Sequence, residues 1–147
     1  MHINLAQWLR LAPSLEPAVL KPGVEGQLIV AVTIPAGGHI ESDQPAEKFL
    51  IPTKLVLDPI EHIGYGPIRY PQATEKRFSW TETVLKVFSS TIQIKVPLIV
   101  SRDAPAKTVT IFGTLNYQGC TASSCLPPNN QKFSIEAKIL LYRIPTV

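Results

Sequence analysis

Fourteen prolines spread through 147 residues constrain the fold of this chain more than any other feature. Proline removes a backbone donor and is excluded from helix interiors and central sheet ladders. Between the prolines lie apolar, β-branched runs: 26–34, 49–57, 82–88, 91–100, 108–117 and 133–142. In the fourth, Ile92, Ile94, Val96 and Leu98 alternate with Gln93 and Lys95, so one face is expected to be buried. Roughly six or seven strands broken every 8–15 residues or so predict an all-β, immunoglobulin-like β-sandwich.

The length suits one domain with a real core, and 45% hydrophobic against 17% charged residues is a globular composition. Residues 1–20 read as an N-terminal arm packed on a domain spanning 21–147. Within it Leu5, Trp8, Leu9 and Leu11 can share one side of a short helix, which Pro13 and Pro17 end, and Trp8 is expected to be a packing anchor. Residues 39–48 are polar and read as a loop. Residues 58–78, punctuated by proline and glycine, read as a functional loop.

Net charge is +3, but Lys and Arg are scattered from Arg10 to Arg143 without a stripe, so nucleic acid is excluded as a partner. No stretch approaches the roughly 20 apolar residues that span a bilayer, and Met1-His-Ile-Asn-Leu-Ala lacks the features of a signal peptide. The chain is expected to be soluble as given, which leaves open that it is a piece of a longer, exported or membrane-tethered protein.

The two cysteines, Cys120 and Cys125, lie between the last two strand runs in Leu115-Asn-Tyr-Gln-Gly-Cys-Thr-Ala-Ser-Ser-Cys-Leu-Pro-Pro128. Those runs either pair directly or belong to facing sheets. A reversal that brings the two Cα atoms within about 4.4–6.8 Å would allow a disulfide. Such a bridge is a weak staple: a loop of about six residues contributes roughly 2 kcal/mol, against roughly 4.7 for one of about a hundred. Local spacing therefore favours a pair that opens and closes. A static loop disulfide, and metal binding or unrelated thiols, are the rival readings.

Tyr117-Gln-Gly-Cys120 followed by Cys125-Leu-Pro-Pro128 resembles the thiol site of the N-terminal periplasmic domain of DsbD-type thiol:disulfide interchange proteins and related bacterial protein-disulfide reductases. The resemblance extends through Gly38-His39-Ile40, Phe49-Leu-Ile-Pro-Thr53, Gly64-Tyr65-Gly66-Pro67 and Val87 to Val100, covering roughly residues 20–142. It implies a periplasmic domain of a larger enzyme with a membrane-embedded part, relaying reducing equivalents through a reversible Cys120–Cys125 disulfide between thioredoxin-fold donors and acceptors. It also implies that Cys125 attacks and Cys120 resolves, that Tyr117 and His39 neighbour the thiols, and that a cap loop shields them, with Tyr65 as the best-fitting aromatic. Glu61-His62-Ile63-Gly64 stands where the family has an acidic-aromatic cluster. The rival reading has Tyr65 and Tyr70 simply pack a surface loop.

Disulfide exchange needs an attacking thiolate and a second nearby thiol that releases the product, and two cysteines in one loop supply both. No cation adjoins them in sequence. Lys132, the first basic residue after Cys125, reads as a solvated strand-start lysine. Ser123 and Ser124 read as turn residues, since no His or acid stands at triad spacing. His39 and His62 could complete a Cys2His2 site only through tertiary folding. One methionine is poor material for a copper(I) site. No cofactor and no metal is expected, and the rival from another class is a non-catalytic binding or structural module.

Overall fold

Alternation between apolar and polar side chains sets the long strands. In the computed structural model, which describes residues 8–141, the chain forms β1 (Arg10–Glu16), β2 (Val19–Leu20), β3 (Glu25–Thr33), β4 (His39–Glu41), β5 (Lys54–Leu57) and β6 (Ile63–Tyr65). It continues through β7 (Thr74–Lys76), β8 (Leu85–Phe88), β9 (Thr91–Val100), β10 (Lys107–Tyr117), β11 (Gly119–Cys120) and β12 (Asn129–Ile139). No helix occurs among the described residues.

Three four-stranded sheets result, in the orders β1-β3-β9-β6, β2-β12-β10-β5 and β11-β4-β8-β7. In the first, Leu28 pairs with Val96 and Val30 with Ile94, so the buried residues of both strands point the same way. In the second, β10 and β12 pair directly along their whole lengths, with Ile111 opposite Ile135 and Gly113 opposite Phe133. The inner faces of these two sheets share one core, in which Leu28, Val30, Ile94, Val96, Ile111, Leu115 and Ala137 are essentially inaccessible. The all-β immunoglobulin-like sandwich is thus the fold observed. The third sheet is small and sends Ile40 and Phe88 into that core. A separate cluster of Leu50, Phe78, Leu85 and Val87 lies on its other side.

Several segments differ locally from expectation. Residues 10–16, read as part of an arm, form β1 and pair with β3 from Arg10↔Thr33 to Glu16↔Gln27. Pro13 is tolerated because β1 is an edge strand, where a missing donor leaves no ladder bond unmade. Trp8 packs against the core, as expected of an anchor. Leu5 and Tyr142 lie outside the described residues. The segment 58–78 carries β6, which pairs with β9, and β7, which pairs with β8, and so ties the first sheet to the third. Residues 39–48 open with β4, which polar composition concealed.

Candidate functional site

The site is assembled where β10 runs out. After Tyr117, Gln118 leads into β11, which pairs antiparallel with β4 through Gly119↔Ile40 and Cys120↔His39. The chain then reverses at once. The Thr121 N–H donates to the Ser124 carbonyl at 2.8 Å, and the Ser123 and Ser124 N–H groups donate to Thr121 Oγ1 at 3.2 and 3.4 Å. Small hydroxyl residues favour such tight turns by supplying local acceptors. The Leu126 N–H closes the loop on the Gly119 carbonyl at 2.7 Å. Cys120 and Cys125 therefore face each other across an isolated antiparallel bridge and form a disulfide, with Cα atoms 3.9 Å apart.

Gln118 pins this loop to the segment that leads into β5. Its Nε2 donates to the Leu126 carbonyl at 3.2 Å, and its Oε1 accepts from the Ile51 N–H at 2.8 Å. Trp8 lies over the same region. Its ring stacks on Tyr117 at 6.2 Å between centroids, and a Cβ on Gly38 or Gly119 would meet that ring at 2.7 or 2.5 Å. Both positions therefore need glycine for close approach.

The two sulfurs have unequal surroundings. Cys120 is fully buried, whereas Cys125 is partly exposed and packs on the Leu50, Phe78, Leu85 and Val87 cluster beside Trp80. Trp80 Nε1–H donates to the Thr121 carbonyl at 3.4 Å, and its ring leans on Phe78 at 5.3 Å. Phe78 in turn meets the His39 ring edge-on at 5.3 Å, while Lys76 Nζ stands 6.0 Å over Phe78.

A carboxylate completes the group. Glu41, at 0% exposure, places Oε1 3.4 Å from Cys120 Sγ and 4.0 Å from Cys125 Sγ. Neither sulfur carries a proton in the disulfide, so these are contacts; on reduction the Cys120 thiol becomes a donor aimed at Oε1. The backbone holds Glu41 in place: its N–H donates to the Gln118 carbonyl at 3.0 Å, and its own carbonyl accepts from Thr53 Oγ1. Glu41 Oε2 is buried with no hydrogen-bond partner. Burial raises the Glu41 pKa to about 7, because the charged form is deprived of water. Burial and then the Lys76 charge hold His39 below its usual value, and His39 Nδ1 also lacks a partner.

Among the residues singled out in the sequence, Cys120, Cys125 and His39 come together. Tyr117 stands at the root of the loop, buried, with its hydroxyl accepting from Asn129 Nδ2 at 3.3 Å. Tyr65 does not join them: it lies in β6, opposite Leu98 of β9, and packs on the main core. Its buried hydroxyl has no hydrogen-bond partner, and burial followed by the charge of Asp58 pushes its pKa up to about 12. The aromatic rings of the cluster on which Cys125 packs are instead Phe78 and Trp80, because β7, which they follow, belongs to the third sheet whereas β6 belongs to the first. His62 is also remote, set between Ser101 and Asp103 at the end of the first sheet. Lys132 is an exposed residue of β12.

Sequence reasoning missed Glu41, Phe78 and Trp80. Glu41 was within reach, since two residues after His39 on a strand means the same face, but a polar run gave no sign that it was a strand. The metal-capable cluster found among the described residues is Glu41 with Cys120 and Cys125, not the two histidines.

In comparison with known proteins, the chain resembles the reduced N-terminal domain of Neisseria meningitidis DsbD, at 22% identity and a TM-score of 0.52 over 87% of this chain and 86% of that one. It also resembles the N-terminal periplasmic domain of Proteus mirabilis ScsB, at 9% identity and a TM-score of 0.61, covering 94% of this chain and 51% of that one. At these identities the likeness establishes the fold. No curated protein sequence matches the chain. The family described as "Thiol:disulfide interchange protein DsbD, N-terminal" matches residues 9–137. With that match spanning nearly the whole chain, and with Cys120 and Cys125 joined in the loop before β12, the chain belongs to the DsbD N-terminal family of thiol:disulfide interchange domains.

Proposed function

We propose that this domain relays reducing equivalents in the periplasm by opening and closing the Cys120–Cys125 disulfide, as part of a protein-disulfide reductase with a membrane-embedded portion. A thioredoxin-fold donor reduces the pair, and the pair then reduces thioredoxin-fold acceptors. Family membership supports the compartment and the kind of partner.

The observation that carries the reading is the asymmetry of the pair: one sulfur sealed in the sheet, the other partly exposed at a loop closed by only a few residues. A partner thiolate reaches Cys125, so Cys125 forms the mixed disulfide and Cys120 resolves it. A bridge this local adds little to stability, and exchange is the better account of its presence. Phe78 and Trp80 supply the cover over Cys125, the role that the family resemblance had offered to Tyr65.

Cys120→Ser is expected to trap a covalent complex with a thioredoxin-fold protein through Cys125, and Cys125→Ser to trap none. Equilibration in thiol–disulfide buffers is expected to place the potential within about −180 to −270 mV, where exchange proteins lie. A value below about −300 mV, with no complex trapped, would show a static bridge in a non-catalytic module.

A further inference from the structure

Glu41 is the one fully buried carboxyl among the described residues, and it serves no structural bond. Its Oε1 meets only the two sulfurs and its Oε2 meets nothing, while the bonds that fix β4 here run through its backbone. Burying a carboxyl without partners is costly. Replacing it with an apolar side chain would relieve that cost, so its position against a reacting sulfur points to chemistry.

We propose that Glu41 is a catalytic residue of the exchange, giving a proton to the Cys120 sulfur when the disulfide opens and taking it back when the disulfide re-forms. This rests on the reading that the pair cycles. A donor dithiol attacks through its thiolate at Cys125 Sγ; the new bond joins donor sulfur to Cys125, and the Cys120–Cys125 bond breaks with its electron pair going to Cys120. Glu41, protonated, transfers its proton to that thiolate and becomes a carboxylate. The donor's second thiolate then attacks the donor sulfur of the mixed bond, releasing Cys125 as a thiolate that takes its proton from water. Two electrons have passed, the donor ends as a disulfide, and Glu41 recovers its proton from solvent before the next turnover.

In the opposite direction Cys125 attacks an acceptor disulfide. Glu41 as carboxylate then removes the Cys120 proton, so that Cys120 can attack Cys125 Sγ and release the reduced acceptor. The need for an internal proton carrier falls on Cys120 alone, because that sulfur is cut off from water while Cys125 is not. With a pKa raised to about 7, Glu41 divides between its two forms near neutrality, which suits a group used in both directions.

The titratable groups on the elements packed around Glu41 are few. Cys120 comes from β11 and Cys125 from the loop after it, His39 lies on β4 itself, and β8 and β7 carry Lys86, Lys76 and Glu75. Both lysines and Glu75 are exposed, and Lys86 alternates with the buried Leu85 and Val87. His39 is thus the rival for any inflection near neutral pH.

The test uses dithiothreitol as the reductant, with the rate of disulfide opening divided by thiolate concentration at each pH. Wild type is expected to lose rate as pH rises through about 7. Glu41→Gln is expected to abolish that inflection and to slow opening about ten- to a hundredfold at pH 6. That is at or below the low end of the usual ~10²–10⁴ for acid catalysis, because the amide still donates a hydrogen bond. Glu41→Asp, which withdraws the carboxyl by one methylene, is expected to slow opening as well. A profile for E41Q that overlays wild type, or an inflection that survives in E41Q and vanishes in His39→Asn, overturns the proposal. If E41Q does not fold, the infrared difference spectrum of wild type between disulfide and dithiol forms decides: a carboxyl change supports the role, and silence overturns it. A partner trapped by Cys120→Ser together with an unchanged E41Q profile sinks the Glu41 role alone, whereas failure to trap any partner sinks the cycle on which it rests.

Discussion

Glu41 gives the residue scale its clearest consequence. Its pKa rises from 4.5 in the open chain to about 7 in the fold, so the folded state binds more protons than the unfolded state between those values. Stability therefore falls as pH rises through that window: the carboxyl costs nothing as a charge below about 4.5, and its full cost is present above about 7. The size is on the order of 2 kcal/mol after allowance for screening. Urea unfolding of the disulfide form at a series of pH values is expected to show this decline in wild type. In Glu41→Gln the decline is expected to flatten and stability at pH 8 to rise.

At the scale of elements, the site is a sheet edge with a lid of side chains. β4 brings His39 and Glu41 to one face, β11 delivers Cys120 beside them, and the turn of 121–124 folds Cys125 back. β7 and the residues after it then bring Phe78 into the small cluster on which Cys125 packs, with Trp80 packed on the same cluster and bonded to the Thr121 carbonyl. Among the described residues Trp80 makes one hydrogen bond, at 3.4 Å, leans on Phe78 and packs partly buried on the small cluster, a hold loose enough to open without unfolding the sheet. Trp80→Ala is expected to speed reduction of the disulfide by glutathione several-fold, about 3–10 times, with little change in thermal stability. An unchanged rate would show that the indole does not guard the sulfur.

Over the whole molecule, the core and the site are separable. The main core between the two large sheets excludes the cysteines, and the cluster around Leu50, Phe78, Leu85 and Val87 is a second, smaller unit to which Cys125 belongs. Leu28, fully buried in the main core, should cost about 2–5 kcal/mol on truncation to Ala, by lost burial and an unfilled cavity. The reduction potential of the pair is expected to stay unchanged in that variant. Leu85→Ala is expected to shift the potential, because Leu85 packs in the cluster that supports Cys125.

The division between what the chain states locally and what folding decides follows the range of the forces. Strand alternation, turn residues and proline placement are properties of neighbours in sequence, so β3, β9, β10 and β12 were legible from the run of residues, as was the pairing of cysteines five apart. The sandwich class and the exchange chemistry followed from them and from the family motif. Three things were settled only by tertiary structure. β1 took strand form because the edge of β3 offered seven residues of ladder to a segment whose prolines argued only against helix. Tyr65 was drawn into the main core by pairing of β6 with β9, while pairing of β7 with β8 carried Phe78 and Trp80 to the cysteines. Glu41, 79 positions from Cys120 in the chain, met its sulfur because β4 pairs with β11. Its environment, and hence its raised pKa, is a matter of desolvation by residues distant in sequence, which no local pattern encodes.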